Sequence, residues 1–268
     1  MKKMPCVCAP MRAIGFAASL LAASSVFCFA QAGVSPEPAD DSDSIATDRP
    51  DFTESALVVK RKQLQIETGF TYTRIAGDSS FGAPEALFRY GVGKKFELRL
   101  GLPNHGSFHS GGQTQSGLGA TYLGFKYQIG PTKDDVNISI IPAVFAPTGG
   151  NDFNSGDWDP EVKLCFSKSF TDRFGISAML YAAYPTQPQG RNFTLQQTVS
   201  FSYSLDSRWG TFYEFVNTFP ERGASQHFFH SGVTYLVNRN TQIDIHFGFG
   251  LSREAPDHLI AAGYSVRF

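Results

Sequence analysis

Apolar and polar residues alternate along most of the chain after residue 60, which is the period of a β-strand whose two faces meet different surroundings. Near the C-terminus, for example, Ile243, Ile245 and Phe247 alternate with Asp244 and His246. The pattern predicts about twelve strands. We place them at residues 62–74, 84–92, 95–103, 118–129, 136–146, 160–169, 174–184, 193–204, 208–217, 227–237, 241–250 and 258–268.

The connections between these strands alternate between short and long. Residues 93–94 and 206–207 are tight turns, whereas residues 104–117 and 147–159 form longer loops. Short turns at one end of the strands and longer loops at the other are typical of a transmembrane antiparallel up-and-down β-barrel. We therefore predict an all-β chain with such a barrel over residues 61–268 and both barrel termini at the short-turn end. A soluble β-sandwich also alternates and is the competing fold.

The chain ends in a strand with apolar residues at every second position, and its last residue is Phe268. The last strand of a barrel must pair with the first, because an unpaired edge cannot be satisfied in lipid. The terminal aromatic strand also resembles the signal by which outer-membrane proteins are recognised for insertion. We expect outer-membrane lipid as a partner, and the barrel-assembly machinery as a second partner through this strand.

The first 32 residues have the features of a secretory signal peptide. Lys2, Lys3 and Arg12 precede or open an apolar run that ends in the small-residue site Ala30-Gln31-Ala32. We predict cleavage after residues 1–32, with an uncleaved membrane anchor as the alternative. Residues 33–60 then form a periplasmic N-terminal segment, and the predicted location is the cell outer membrane of a Gram-negative bacterium.

Composition narrows the class further. Cleavage would leave Cys165 as the one cysteine, which rules out a disulfide framework within the chain. It would also leave 20 basic residues against 24 acidic ones, a net charge of −4, so nothing indicates nucleic acid as a partner. After residue 32 no apolar run approaches the roughly 18 residues that a spanning helix needs.

Alternation places many charged residues on the inward face of the predicted barrel, where they avoid the cost of facing lipid. The predicted lumen-lining residues are Glu67, Glu85, Arg89, Glu97, Arg99, Lys126, Glu161, Lys163, Glu214, Asp244, His246 and Arg267. They can form ladders of paired charges that stiffen a narrow interior, or line a polar path for solutes. The apolar residues Leu87, Ile141, Phe145 and Phe212 also fall inward, which suggests bulges or errors of register there.

A short segment before the first strand, IATDRPDFTES at residues 45–55, combines many charges with Pro50 and Phe52. It is too short and irregular to span a membrane. One interpretation is a periplasmic tail. The other is a plug that folds back into the lumen, where its charged residues pair with charges of the wall. The predicted plug residues are Asp48, Arg49, Asp51 and Glu54.

The same segment resembles the opening of a known family. Residues 47–55 (TDRPDFTES), followed by Gln65, Glu67, Gly69 and Tyr72, resemble the outer-membrane transporter family labelled "MetA-pathway of phenol degradation". A later stretch with Gly117-Leu118-Gly119 and Gly124 is similar to a central strand of that family, with Ala120 in place of an aspartate. The resemblance covers roughly residues 45–268. It implies an outer-membrane barrel associated with uptake of aromatic or other hydrophobic compounds.

Enzymatic chemistry has little support in the sequence. A barrel-wall lipid hydrolase would need an outward-facing Ser and His pair, and the candidates Ser231 and His258 are about two strand spacings apart. His105 and His109 have a spacing that suits a metal on a helix, but their stretch is rich in Gly and Ser. We expect no catalytic, cofactor-binding or metal site.

The predicted function is a passive channel for small solutes, among them aromatic or hydrophobic compounds. The alternatives are a structural barrel without an open pore and, third, an outer-membrane lipid hydrolase. The sequence leaves the oligomeric state open.

Overall fold

The computed structural model describes residues 44–150 and 153–268. The predicted signal peptide and the part of the 33–60 segment before residue 44 lie outside the described residues. The described chain forms one antiparallel sheet of fifteen strands. The strands are β1 (Leu64–Ile75), β2 (Asp78–Ala83), β3 (Ala86–Gly91), β4 (Phe96–Leu102), β5 (His105–Ser110), β6 (Gln113–Leu118), β7 (Thr121–Gln128), β8 (Asn137–Ala146), β9 (Asp159–Ser169), β10 (Phe174–Ala183), β11 (Thr194–Ser204), β12 (Trp209–Pro220), β13 (Gln226–Asn238), β14 (Thr241–Gly250) and β15 (His258–Arg267). The described part of the chain has no helix long and apolar enough to cross a membrane.

Twelve of these strands close into a ring. The order is β1, β3, β4 and then β7 to β15 in sequence, and β15 pairs back onto β1 from Gln65 opposite Arg267 to Arg74 opposite His258. The prediction of an antiparallel barrel of about twelve strands is confirmed, and so is the pairing of the last strand with the first. Because the ring has no open edge, it is not the competing sandwich.

The remaining strands, β2, β5 and β6, extend the barrel at the end with the longer loops, which we call the loop end. They pair in the order β1, β2, β5, β6 beside the ring. The prediction of a loop at residues 104–117 is therefore wrong, because β5 and β6 form a hairpin that turns at Gly111 and Gly112 with φ of +55° and +80°. His105 and His109 lie on β5 with exposed side chains. Most residues on both faces of the hairpin are small or polar, so the alternation that marks a wall strand is missing.

The barrel wall separates apolar from polar side chains. On β14, Ile243, Ile245 and Phe247 face outward and are 43, 56 and 52% exposed, whereas Asp244 and His246 face inward and are buried. The outer face is thus suited to lipid, and the polar groups are collected inside.

Apolar residues also face the interior, without the register errors suggested by the sequence. Leu87, Ile141 and Phe212 are completely buried, and the register does not shift at these positions. The β7–β8 ladder is interrupted at Ile141 and Pro142 but continues in the same register on both sides. Within the described residues a register shift occurs between Leu236 and Asn238, next to a turn. Leu87 and Tyr122 form a buried apolar cluster inside the barrel, and Phe145 packs against this cluster. The reason for these positions is that the interior is filled, so an inward apolar side chain has neighbours to pack against.

What fills the interior is a stretch of chain at residues 45–59, which we call the luminal segment. It enters at the end with the short turns, the turn end, where the Ile45 N–H donates to the Arg239 carbonyl at 2.8 Å. It returns to the same end, where Arg61 bridges to Gly91. Its apex, Phe52, packs against Phe228 of the wall. The luminal segment is therefore a loop inserted from one end of the barrel. It is held inside by non-covalent contacts and continues through residues 60–63 into β1.

Candidate functional site

Basic side chains from β3, β4, β7 and β9 converge on one side of the luminal segment. Asp48 accepts hydrogen bonds from Arg99 Nη1 at 2.6 Å and from Lys126 Nζ at 3.0 Å, and Arg89 Nη1 lies 3.3 Å from the same carboxylate. Arg89 and Lys126 have no solvent exposure, and Arg99 has 2%. One acidic residue of the luminal segment thus contacts three buried cations of the wall, and Glu67 and Glu97 supply further negative charge to Arg89.

A second acidic residue, Glu54, continues this contact along the wall. It accepts hydrogen bonds from Arg99 Nη2 at 2.8 Å and from Lys163 Nζ. One wall carboxylate, Glu97, lies among these basic side chains. It pairs with Arg89 Nε at 2.8 Å and accepts a hydrogen bond from the Val59 N–H at 2.7 Å. We call Arg89, Arg99, Lys126 and Lys163 the basic arc.

Carboxylates on the other side of the barrel bind the one basic residue within the luminal segment. Arg49 places Nη1 3.4 Å from Glu85 Oε2 and Nη2 3.3 Å from Asp244 Oδ1. Glu67 accepts the backbone N–H groups of Asp48 and Arg49 at 2.9 and 3.0 Å. We call Glu67, Glu85, Glu214 and Asp244 the acidic arc.

Glu214 of β12 binds the apex of the luminal segment. It accepts the N–H groups of Phe52 and Thr53 at 2.8 and 2.7 Å, and the Thr53 hydroxyl at 2.7 Å. Each arc is therefore matched by groups of opposite charge or by backbone donors of the luminal segment. Such complementarity fixes where each residue of the segment lies.

Two glycines in the wall make room for the Arg49 guanidinium. A Cβ atom on Gly263 of β15 would lie 2.1 Å from Arg49 Nε, and one on Gly69 of β1 would lie 2.7 Å from Arg49 Nη2. Both distances are far inside van der Waals contact. Any larger residue at position 263 would therefore have to displace the arginine.

A chain of side-chain hydrogen bonds links the luminal segment to β14, β13 and β12. Arg49 Nη2 lies 3.3 Å from His246 Nε2, His246 Nδ1 lies 2.7 Å from His230 Nε2, and His230 Nδ1 lies 2.8 Å from Glu214 Oε2. Because a guanidinium can only donate, His246 Nε2 must accept. Each ring then donates through Nδ1, so both histidines are neutral in this arrangement, and the bonds run in one direction from Arg49 to Glu214.

Two carboxyl groups of the luminal segment differ in their electrostatic environment. Burial raises the pKa of Asp48, but Arg89, Lys126 and Arg99 outweigh that effect and hold it below its usual value. Burial and the nearby Glu214 together hold the pKa of Asp51 well above its usual value. Asp48 therefore contributes a charge to the closed arrangement, whereas Asp51 fits it as a neutral acid.

The twelve side chains predicted to line the lumen are all buried inside the barrel. Ten of them contact the luminal segment, while Glu161 pairs with Lys163 at 3.2 Å and Arg267 bonds Asn240 at the turn end. Several neutral wall residues outside the predicted lumen-lining set also hold the segment. These are Gln65, Gln128, Thr198 and Gln242. Their positions in the alternation would have placed them inward, but they carry no charge to single them out.

The interior is filled at the level of the two arcs. Every strand of the ring contributes at least one buried inward side chain there, including small ones such as Ser139, Ser200 and Ser265. An apolar group packs on the same layer, where Ala56 of the luminal segment contacts Ile141 and Cys165. This conformation of the barrel is therefore closed at that level.

Ser231, the serine weighed from the sequence for a lipid hydrolase, is buried and its Oγ donates to the Phe212 carbonyl at 2.6 Å. Within residues 44–150 and 153–268, no group of three or more His, Cys, Asp or Glu side chains is arranged to hold a metal ion.

A closed antiparallel ring with an apolar outer face and a charged, filled interior defines the class of outer-membrane β-barrels. Within that class the chain belongs to the family described as "Putative MetA-pathway of phenol degradation", whose model matches residues 47–268. The family expected from the TDRPDFTES stretch is thereby confirmed. A search of curated proteins found no match to the sequence.

Solved structures share the fold at low sequence identity. An outer membrane channel from Pseudomonas putida F1 superposes with a TM-score of 0.64 at 11% identity, covering 80% of this chain and 98% of that one. The NanC porin gives 0.54 at 8% identity, covering 76 and 98%, and the KdgM porin gives 0.51 at 13% identity, covering 76 and 99%. At these identities the comparison establishes the shared barrel architecture.

Proposed function

We propose that this protein is a passive channel of the bacterial outer membrane for small solutes, including aromatic and other hydrophobic compounds, and that the luminal segment is its plug. The mature chain would begin after the signal peptide at residues 1–32 and reside in the outer membrane of a Gram-negative bacterium. Its C-terminal strand would be recognised by the barrel-assembly machinery. The porins and the channel of similar fold support this class of activity over an enzymatic one.

One observation carries the proposal: the space inside the wall is occupied by a separate stretch of chain. A barrel that serves only as a structural element can fill its interior with side chains of its own wall. Here the luminal segment occupies the centre, and it enters and leaves at the turn end, next to Arg239 and Gly91. Such a loop can withdraw toward that end without breaking any wall pairing.

Withdrawal of the plug would leave a charged passage. The basic arc, on β3, β4, β7 and β9, would face the water of the lumen, and so would the acidic arc, on β1, β12, β14 and the connection between β2 and β3. Polar walls of this kind let water and small solutes pass and set ion selectivity. Transport would then follow the concentration gradient, and no cofactor is needed.

The test is single-channel conductance of the refolded mature protein in planar bilayers, compared with a variant that lacks residues 33–58. Correct folding of both is checked by heat-modifiable migration on gels. We expect rare or small openings for the full mature chain and larger, persistent openings for the deletion variant. In the deletion variant, Arg99→Glu should shift ion selectivity toward cations, because it reverses a charge of the basic arc.

The burial of the whole charged layer also favours a second candidate, a structural barrel without a pore. That candidate predicts silence in both proteins. If the correctly folded deletion variant does not conduct, the channel proposal is wrong and the structural role replaces it.

A further inference from the structure

A cavity of about 140 Å³ lies between the apex of the luminal segment and the loop end of the barrel. Its walls come from the loop-end parts of β1, β10, β11, β12, β13 and β15. Phe52 is the residue of the luminal segment that lines the cavity. The cavity therefore lies on the outer side of the plug, where a solute arriving from the loop end would meet it first.

The cavity has an apolar floor. Val216, Phe228 and Leu259 form a buried cluster there, and Phe52 packs against it with its ring 6.1 Å from that of Phe228 in an edge-to-face arrangement. An aromatic and aliphatic surface of this kind binds apolar ligands by burying their surface.

Neutral polar groups complete the lining. Thr73, Thr194 and Gln226 are among the neutral polar residues that line the cavity. None of the residues that line the cavity is an Asp, Glu, Lys, Arg or His. A ligand can therefore gain a hydrogen bond here, but a charged ligand would lose its hydration without gaining an opposite charge.

The volume limits the size of the ligand. An engineered apolar cavity of about 150 Å³ in another protein binds benzene. We infer that this cavity is a binding site for an uncharged molecule of about one six-membered ring that can also form a hydrogen bond. The inference deepens the proposed function and rests on it for the direction from which the ligand arrives, because it names the solute class that the outer mouth of the channel accepts.

The cavity and the plug share Phe52. Its N–H is bound by Glu214, and its ring lies 5.0 Å from that of His230, which is bonded to the same carboxylate. A ligand in the cavity would contact the residue through which β12 and β13 hold the apex. Binding and plug position are therefore coupled, and by linkage a displaced plug must change the affinity of the site.

The test is equilibrium dialysis of radiolabelled benzyl alcohol against the mature protein in lipid nanodiscs. Benzoate serves as the charged probe of similar size, and empty nanodiscs report partition into lipid. Val216→Phe fills the cavity from β12, and Ala183→Phe fills it from β10. Val199→Phe is the matched control, because Val199 lies on the outer wall and is 38% exposed.

We expect native protein to bind one benzyl alcohol per barrel in a saturable way. Each filled variant should bind benzyl alcohol at least tenfold more weakly, whereas Val199→Phe should bind it as native protein does. Native protein should bind benzoate at least tenfold more weakly than benzyl alcohol. Equal binding of benzyl alcohol by native protein and by both correctly folded filled variants would overturn the inference, as would equal binding of benzoate. Dialysis needs no transport, so absent binding together with conductance of the deletion variant would reject this site while the channel proposal stands. Binding without conductance would reject the channel and leave the site.

Discussion

Removal of the Arg49 side chain should open the barrel. The guanidinium is buried and reaches Glu85, Asp244 and His246 at 3.3 to 3.4 Å. Arg49→Ala leaves the two carboxylates of the acidic arc without this partner as long as the luminal segment stays inside. When the segment is withdrawn, both carboxylates face the water of the lumen. The substitution thus acts against the closed state.

The size of the effect follows from the burial of the ion pairs. Removing one partner of a buried pair costs about 3 to 5 kcal/mol, because a buried charge is left uncompensated. We use the lower end, since Glu85 or Asp244 can take up a proton. About 3 kcal/mol corresponds to a shift of roughly 100-fold in the equilibrium between closed and open barrels, at 1.4 kcal/mol for each factor of ten.

The assay is the fraction of time that single Arg49→Ala barrels conduct in planar bilayers at a fixed voltage. Arg208→Ala is the control, because Arg208 is exposed at a turn and has no ion pair with the luminal segment. Adding Asp244→Asn to Arg49→Ala removes one uncompensated charge and should restore part of the closure. If Arg49→Ala folds and stays as closed as the native protein while the 33–58 deletion conducts, the ion pairs of Arg49 do not hold the plug.

Three further substitutions test separate parts of the structure. The carboxyl of Asp51 fits the closed barrel as a neutral acid with a raised pKa, so closing takes up a proton, and openings should increase as the pH rises above 3.8, the ordinary pKa of this carboxyl. The free energy of closing should change by up to about 1.4 kcal/mol per pH unit. Asp51→Asn should favour closure and abolish this dependence, and an unchanged pH profile would contradict the assignment. Gly263→Ala should raise open probability because its Cβ would collide with Arg49, whereas Gly93→Ala, with no atom closer than 3.9 Å, should not; equal behaviour of the two would refute the steric argument. Phe247→Arg should impair assembly, measured by heat-modifiable migration, because an arginine near the middle of the lipid-facing wall costs about 2 to 4 kcal/mol, and normal assembly of this variant relative to Phe247→Leu would show that the wall face is misassigned.

The sequence predicted the barrel because successive residues of each wall strand face lipid and lumen in turn, and lipid favours apolar side chains whereas the lumen favours polar ones. The predicted strand at residues 241–250 matches β14, and the predicted strand at 174–184 matches β10 to within one residue. The extension of β2, β5 and β6 was not predicted, since most of its residues on both faces are small or polar and the apolar ones, such as Phe81 and Leu118, do not recur at every second position. Hydrophobic alternation reports strands only where the two faces differ.

The sequence predicted which residues face the interior, but it did not predict which of them contact one another. Alternation gives the face on which a residue such as Glu214 lies, and the charges of TDRPDFTES indicated a segment that could pair with the wall. The specific partners depend on ring neighbours and on a loop far away in sequence: Glu214 meets Thr53 across 161 positions and Arg49 meets Asp244 across 195. No local pattern carries such information. The role of these residues in conduction stays a prediction.

Under the proposed function, ion pairs are a suitable way to hold a plug that also leaves the barrel. An apolar plug would expose its surface to water on opening, and at about 25 cal/mol per Å² the closed state would be strongly favoured. Charges regain their hydration when they separate, so a buried pair adds little net stability relative to separated, hydrated partners. Loss of a single partner is nevertheless expensive, which makes the position of the segment specific. On this proposal Arg49 and Asp48 define where the plug lies without making the closed state very stable. Burial and Glu214 raise the pKa of Asp51, so proton uptake on closing would lower the stability of the closed state further.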